Sequence, residues 1–582
     1  MATSKTLGPW PKGLNLTSNR DLSLFLDQDE LGEAENIVYT PEGFIQPRPG
    51  CKLYNYDFGV YDTIEVIGNL NLPNGETIVV VQTISGTQAK LWKITDKTTC
   101  SLLYTPVAGV YVTHMLPYQS TAGASHTGVF FFTNTKATTF KNAALDLTGA
   151  WSVVASGYNV PASHKGFIVK DRLFLFDYDN STMWWSPANY IMDFNKVDVG
   201  ATGTDVYAEE PIDKTIKEDG FTAVEFYNNN FYIFKKTKAY MFTYQALPLE
   251  DGYLRKISDD MGALSSTLFR GNVVVLNRKG VYRMDGSEFL DLQRKMNFRF
   301  ELPIDHSNIK RDDAFITDFN EDIVFGYRDA TTGNKYCYCM NGNNGAWSKW
   351  TYDYTASIAY PGSKFFRAQA STSTFMTMIH HTFQKTHLTY MDYKPSATNP
   401  TYHMDGDLLV PRHAKYYIPN VCIKSAAMFG DSPLRYFKVY RTYIRFYMSD
   451  IPKTAVAKLN LPAGTLWTLS LNYNDYRFEY DTKMDGNPIF NLYPSNAQFQ
   501  EENLLSGSNV APKTAVYTKT YQIPIPQQRA KELVVELKRV YTELLAADAN
   551  SLINPDPDRL IKNGYYFMLS SIWVDYQDKA GI

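Results

Sequence analysis

The residues of this chain best suited by type to do chemistry fall into a few short groups. Cys337 and Cys339 are separated by one residue, so on a strand both thiols project to the same face, as two metal ligands would. A zinc site needs four ligands, and no second cysteine pair lies nearby, so ordinary strand packing is the reading favoured. His380, His381 and His387 form the densest histidine group. Neighbours on a strand face opposite sides, so at most one of His380 and His381 could join His387 at a metal, and no carboxylate pattern accompanies them. Glu209-Glu210, Asp259-Asp260 and Asp312-Asp313 supply carboxylates. An acid and base pair is defined by separation in space, and each of these pairs also fits a solvated turn. No Gly-x-x-x-x-Gly-Lys-Ser/Thr loop, His-Glu-x-x-His or Gly-x-Ser-x-Gly occurs. Asn15-Leu-Thr and Asn180-Ser-Thr have the form of glycosylation triplets, but the opening residues lack the basic and apolar sections of a secretion signal. On this reading the chain has no catalytic, cofactor-binding or metal-binding residues, and neither enzyme activity nor a cofactor is expected.

The elements around these groups repeat. Apolar runs centre on Ile78, Phe130, Phe174, Tyr232, Val274, Val324 and Met376, in steps of 42 to 58 residues. Each follows a polar turn such as "PNGE", "YNNN" or "FRGN" and leads into a second aromatic strand, among them "AKLWKI", "STMWWS", "KAYMFTY" and "KYCYCM". Two strands on a tight turn with room for two more make a four-stranded blade, and the period suits a propeller rather than a solenoid. The expected fold is all-β: a β-propeller of six or seven blades over residues 61–404, preceded by an N-terminal arm, residues 1–60, that can lend a strand to close the ring. After about residue 405 the strands lengthen and alternate, as in "YFKVYRTYIRFYM" and "GYYFMLSSIWVDYQ". Residues 405–582 are therefore expected to form an additional antiparallel β-sandwich-like domain. "KELVVELKRVYTELLAA" fits a helix through Leu533, Leu537, Val540, Tyr541 and Leu544, and a strand through Leu533, Val535 and Leu537. Propellers host glycoside hydrolases with a Ser-x-Asp-x-Gly-x-x-Trp turn, and "NGNNGAWSKW" at 341–350 departs from it. Asn341 and Asn343 replace Ser and Asp, and Trp347 follows Gly345 one residue too soon. In "DRLFLFDYDNSTMWWSPANYIMDF", Trp184 and Trp185 face opposite sides of a strand. One indole is expected between blades and the other at solvent, a loop or a partner subunit.

Composition narrows the classes of function. Aromatics are 15% of 582 residues, which favours half-buried pleated surfaces. A net charge of -3, from 57 basic and 60 acidic residues, gives no bulk attraction for nucleic acid, so sequence-specific binding is not expected. No apolar run approaches the roughly 20 residues of a membrane-spanning helix. Five cysteines, Cys51, Cys100, Cys337, Cys339 and Cys422, are an odd number in a long chain and do not suggest a disulfide framework; synthesis and folding in a cytoplasm are expected.

The order of these segments resembles bacteriophage tail β-propeller proteins. The 171–194 segment is similar to their Arg-Leu-Phe strand, turn and Trp-Trp-Ser strand; residues 221–243, 261–286 and 345–350 continue the pattern. "LDQDELGEAENIVYTPEGFIQPRPG" is similar to their lead-in, through Glu33, Ala34, Asn36, Val38, Gly43, Arg48, Pro49 and Gly50. The likeness covers about residues 14–350; beyond that it is one of style. It implies a virion structural role, in which six copies form a nozzle or hub ring below the portal and adaptor of a short tail and genomic DNA leaves through it. The implied partners are further copies of the chain, portal, adaptor and other tail proteins, with transient contact to exiting DNA. The alternative is a receptor-binding, glycan-binding or glycan-hydrolysing tail propeller.

Overall fold

A strand buried on both faces reads as an unbroken apolar run; the six runs from Ile78 to Val324 are such strands, and the seventh, around Met376, also forms a strand. A computed structural model describes most of residues 3–15, 29–194, 208–212, 220–244, 253–292, 314–354 and 357–392, apart from single residues and short loops within them. Toward the C-terminus it describes the strands and turns within 405–406, 415–429, 437–449, 467–473, 483–488, 516–530, 532–545 and 567–578. Every regular element among the described residues is a strand. Six four-stranded antiparallel units are built from consecutive strands within 63–104, 112–153, 165–211, 223–258, 265–291 and 314–350, blades 1 to 6. Blade 7 takes Tyr360–Ala370, Ser373–His381 and Thr386–Asp392, and its fourth strand is Cys51–Leu53 from the arm. The number is thus seven, with the closing strand supplied by the N-terminus.

In each blade the first strand is innermost. Val112–Tyr118 lies against Thr63–Asn71 and Lys165–Val169, Ser265–Phe269 lies against Ala223–Tyr227 and Ala314–Phe319, and Tyr360–Ala370 lies against both Ala314–Phe319 and Thr63–Asn71. The second strands carry the interblade cores. In Arg172–Asp177, Leu173 and Leu175 pack with Phe130 and Phe132 of blade 2, while Phe174 and Phe176 pack with Phe231 and Ile233 of blade 4. Val79 and Val81 join Leu388 of blade 7, and Ile78 and Val80 join Val129 and Phe131 of blade 2. Alternation with period two therefore feeds two cores from one strand.

The same alternation places the two tryptophans. Trp185, in Thr182–Trp185, stacks on Phe174 at 6.2 Å and lies 5.8 Å from Phe242, between blades 3 and 4. Trp184 packs with Leu173 and Leu175 on the side of blade 2. Trp185 thus fills interblade space, while Trp184, partly exposed, packs against the blade 2 side and the loop residues Ile191, Met192 and Phe194. The Asp177 carboxylate accepts from the amides of Asp179 and Asn180 and from Asn180 Nδ2, which shapes the preceding turn. Ser186 Oγ accepts from the Leu173 amide and extends the pairing.

The C-terminal strands form two facing sheets with the arm threaded through both. In one, Phe567–Asp578 pairs with Phe437–Ser449 and Thr3–Leu7, and Phe437–Ser449 pairs with Val516–Pro524. In the other, the blade 6 outer strand Trp347–Trp350 is followed by Glu30–Glu35, Val421–Ser425 and Glu532–Arg539. Leu7, Ile45, Val439, Ile572 and Val574 of the first sheet share a core with Leu31, Ile423, Leu533, Val535 and Leu537 of the second. The ambiguous 531–547 segment is accordingly strand over Glu532–Arg539 and Thr542–Leu545. Its alternating Leu533, Val535 and Leu537 are buried, and pairing with both Val421–Ser425 and Trp467–Tyr473 holds it extended.

Candidate functional site

Polar side chains on the innermost strands of successive blades converge near the propeller axis. Lys165 opens the first strand of blade 3, Glu225 lies within Ala223–Tyr227 of blade 4, Ser266 in blade 5 and Asp318 in blade 6. The Lys165 ammonium donates to Glu225 Oε1 at 2.9 Å and to the Val224 carbonyl at 2.5 Å. Ser266 Oγ donates to the same Glu225 oxygen at 2.9 Å. Burial opposes the Lys165 charge, yet the Glu225 carboxylate, Tyr178 and the hydrogen bond to Glu225 outweigh it, so Lys165 holds its proton more tightly than a free lysine. Asp318 is held above the ordinary carboxylate range, first by burial and then by the nearby charge of Glu225. On the adjoining blade, His114 stacks on Phe132 at 4.6 Å. Its Nε2 would lie 2.8 Å from a Cβ at Gly166, so only glycine lets the imidazole approach there. The arc can bind a polar group at Glu225, and Asp318, exposed at its edge, keeps its proton to higher pH than an ordinary aspartate.

None of these residues belonged to the groups singled out from sequence. Their one local signal is a charged residue at an inward position of an otherwise apolar strand, as in "AVEFY" and "AFITDF". Which side chains of those strands face the axis depends on how neighbouring blades pack, which spacing along the chain does not encode.

The groups that were singled out are dispersed. Cys337 and Cys339 are buried on Lys335–Met340 in blade 6, and burial pushes both thiols far up, away from the thiolate that zinc requires. His380 pairs His387 across two strands of blade 7, and their side chains lie outside the described residues. Asp259 and Asp260 are exposed and pair with Lys256 and Lys279. Glu209 and Glu210 lie on Ala208–Pro211 with side chains outside the described residues, as is the whole of Asp312-Asp313. Asn341 Oδ1 accepts from the amides of Asn343 and Asn344, and its Nδ2 donates to the Tyr39 carbonyl, so the 341–350 turn serves as a seat for the arm. Asn15 is buried and donates to Glu30.

Two further triads bring potential metal ligands together among the described residues: Glu33, Cys422 and Glu536, and His164, Asp177 and Asp179. In the first, Cys422 donates to Glu536, and Glu536 is also paired with Lys538. In the second, His164 Nδ1 accepts from the Tyr178 amide while Asp177 is engaged by its turn. Both triads thus have ligand atoms already committed to local structure.

A separate titrating group joins blades 5 and 6. Arg270 donates to the Gly342 carbonyl at 2.6 Å and to Asn343 Oδ1 at 2.8 Å, and the Gly342 amide donates to Asp322 Oδ1 at 3.0 Å. Burial pushes Asp322 up to about 6, opposed by the Gly342 amide and by Arg270, and reinforced by Glu321. A carboxyl whose folded pKa exceeds its unfolded value favours folding while protonated, so its contribution is full below about pH 4 and is lost as pH rises through 6. Asp322→Asn is therefore expected to flatten this part of the stability profile, gaining about 2 to 3 kcal/mol over the parent at pH 8 and little at pH 4. Denaturant midpoints across that range check it, and parallel profiles for variant and parent would contradict it.

Six contiguous four-stranded units and a seventh closed by the N-terminal arm define the chain as a seven-bladed β-propeller with an appended β-sandwich. No family model and no curated protein matches the chain. Among solved structures it is similar to the AfRom2 CNH domain, at 7% identity and a TM-score of 0.35, over 60% of this chain and 100% of that one. It is also similar to YCF48 bound to D1 peptide, at 9% identity and 0.35, over 59% and 98%. The WD40 domain of SCAP from fission yeast matches at 9% identity and 0.28, over 56% and 84%. The propeller assignment stands on the sheet order and strand contacts described above.

Proposed function

We propose that the protein is a structural component of a bacteriophage tail, a homohexameric nozzle or hub ring below the portal and adaptor through which genomic DNA is ejected. One observation carries this reading: several lead-in residues that resemble tail propellers have architectural work in this fold. Asn36, with φ 56°, and Arg48 are buried where arm, blade 6 and C-terminal sheets meet. Gly43, with φ 85°, passes so close to the Pro11 nitrogen that a Cβ would lie 2.5 Å from it. A resemblance made of such residues is one of architecture, and architecture is what a ring subunit contributes. The slight net charge suits a conduit, since a strongly basic wall would retard passing phosphates. Closed rings arise from one repeated heterologous contact, and such a subunit resides in the virion after synthesis in the host bacterium's cytoplasm. Native mass measurement of the purified protein and cryo-microscopy of assembled tails test the reading. Six copies joined to a portal and adaptor are expected, and a strict monomer that never enters that assembly would overturn it.

The axial arc favours a second reading, a tail propeller that binds or cleaves host-surface glycan. Saturable binding or reducing-sugar release that Glu225→Gln abolishes, with the fold intact, would replace the first reading with this one.

A further inference from the structure

We propose that closing the propeller ring and seating the C-terminal sheets are one cooperative event, performed by the N-terminal arm acting as a strap across both. The arm pairs at four places. Thr3–Leu7 runs along Trp573 and its neighbours, with Leu7 opposite Ile572. Glu30–Glu35 lies between blade 6, through Glu35 opposite Lys349, and the C-terminal strand Val421–Ser425. The hairpin of Ile37–Tyr39 and Ile45–Pro47 places Ile45 opposite Leu569. Cys51–Leu53 then completes blade 7 against Thr389, Tyr390 and Met391.

The last of these ladders cannot hold the ring by itself. It is three residues long, and Leu53 and Thr389 are far apart along the chain, so the entropy of closing so large a loop exceeds what one short ladder returns. Packing of Leu388 in blade 7 on Val79 and Val81 in blade 1 adds to it, and the rest of the arm, anchored on the C-terminal sheets, links that closure to them. A buried polar node joins the middle of this strap to blade 6 and to the C-terminal strands. Asn36 Nδ2 donates to Thr351 Oγ1 at 2.7 Å and to the Asn420 carbonyl at 2.8 Å, while its Oδ1 accepts from Arg48 Nε at 2.9 Å and from the Thr351 amide at 2.8 Å. Arg48 also donates to the carbonyls of Pro49 and Thr351. Thr351 follows blade 6, Asn420 precedes Val421–Ser425, and Arg48 precedes the closing strand. Unseating any one of the three removes a partner of Asn36, which bonds to all of them, and this couples them.

Native-state hydrogen exchange on the full chain, followed by mass spectrometry in increasing denaturant, tests the coupling. Amides of 51–53, 389–391, 422–425 and 572–576 are expected to converge on one opening isotherm with a common slope. Separate isotherms for blade 7 and for the C-terminal strands would overturn the proposal. Arg48→Met, which keeps the bulk of the side chain and removes its donors, is expected to speed exchange at both ladders by a common factor of about thirty or more. Acceleration confined to either ladder would equally overturn it, and the isotherms of the unaltered protein decide the matter should that variant fail to fold.

Discussion

Replacing Trp350 by alanine is expected to lower the unfolding free energy by about 3 to 5 kcal/mol, the range for deleting a large buried aromatic. Trp350 is 1% exposed, meets Phe319 edge-on at 5.6 Å and donates from Nε1 to the Ile37 carbonyl. The loss combines a cavity in blade 6 with an arm carbonyl deprived of its donor, and Ser348 Oγ, which donates to the same carbonyl, offsets only part of it. Tyr158→Ala, at a site 39% exposed, is the matched control and is expected to change stability by less than about 1 kcal/mol. Denaturant midpoints at constant slope measure both, and a Trp350 loss no larger than the control's would refute the packing described here.

The axial pair is expected to behave asymmetrically. Lys165→Met leaves the Glu225 carboxylate buried with Ser266 as its remaining donor and should cost about 3 kcal/mol, because removing one member of a buried pair strands the other. Lys165→Met with Glu225→Leu removes both charges and should return to within about 1 kcal/mol of the parent, so the cycle yields a large coupling. Additive losses would mean that the two groups are solvated independently and that no built site exists at the axis.

How much was legible in the chain follows from what each residue contacts. The second strands announced themselves because both of their faces are buried: Phe174 and Phe176 serve one core and Leu173 and Leu175 another, so the run is unbroken and its recurrence marks every blade. Alternation set Trp184 and Trp185 on opposite faces, but that Trp184 meets the 191–194 loop depends on the chain's path after the strand. The 531–547 segment supported two periods until its partners were known, since Leu533 and Leu537 satisfy either. Glu225, Ser266 and Asp318 lie on successive blades and meet only where their innermost strands pack side by side, so their association left no mark in spacing. Asn36 and Arg48 stood out through resemblance, whereas their meeting with Thr351 and Asn420 is purely three-dimensional.

The antiparallel ladder between Thr3–Leu7 and Phe567–Asp578 also sets the molecule's mechanical response. Thr3 lies opposite Tyr576 and Leu7 opposite Ile572, so the first strand begins where the second ends. A tug that separates those ends loads the cross-strand hydrogen bonds one after another, as a zip does, and never shears them together. The ladder is expected to yield at low force and to peel toward Leu7, ahead of the buried Trp10. The seven blades lie outside the path of that load until the arm has been stripped.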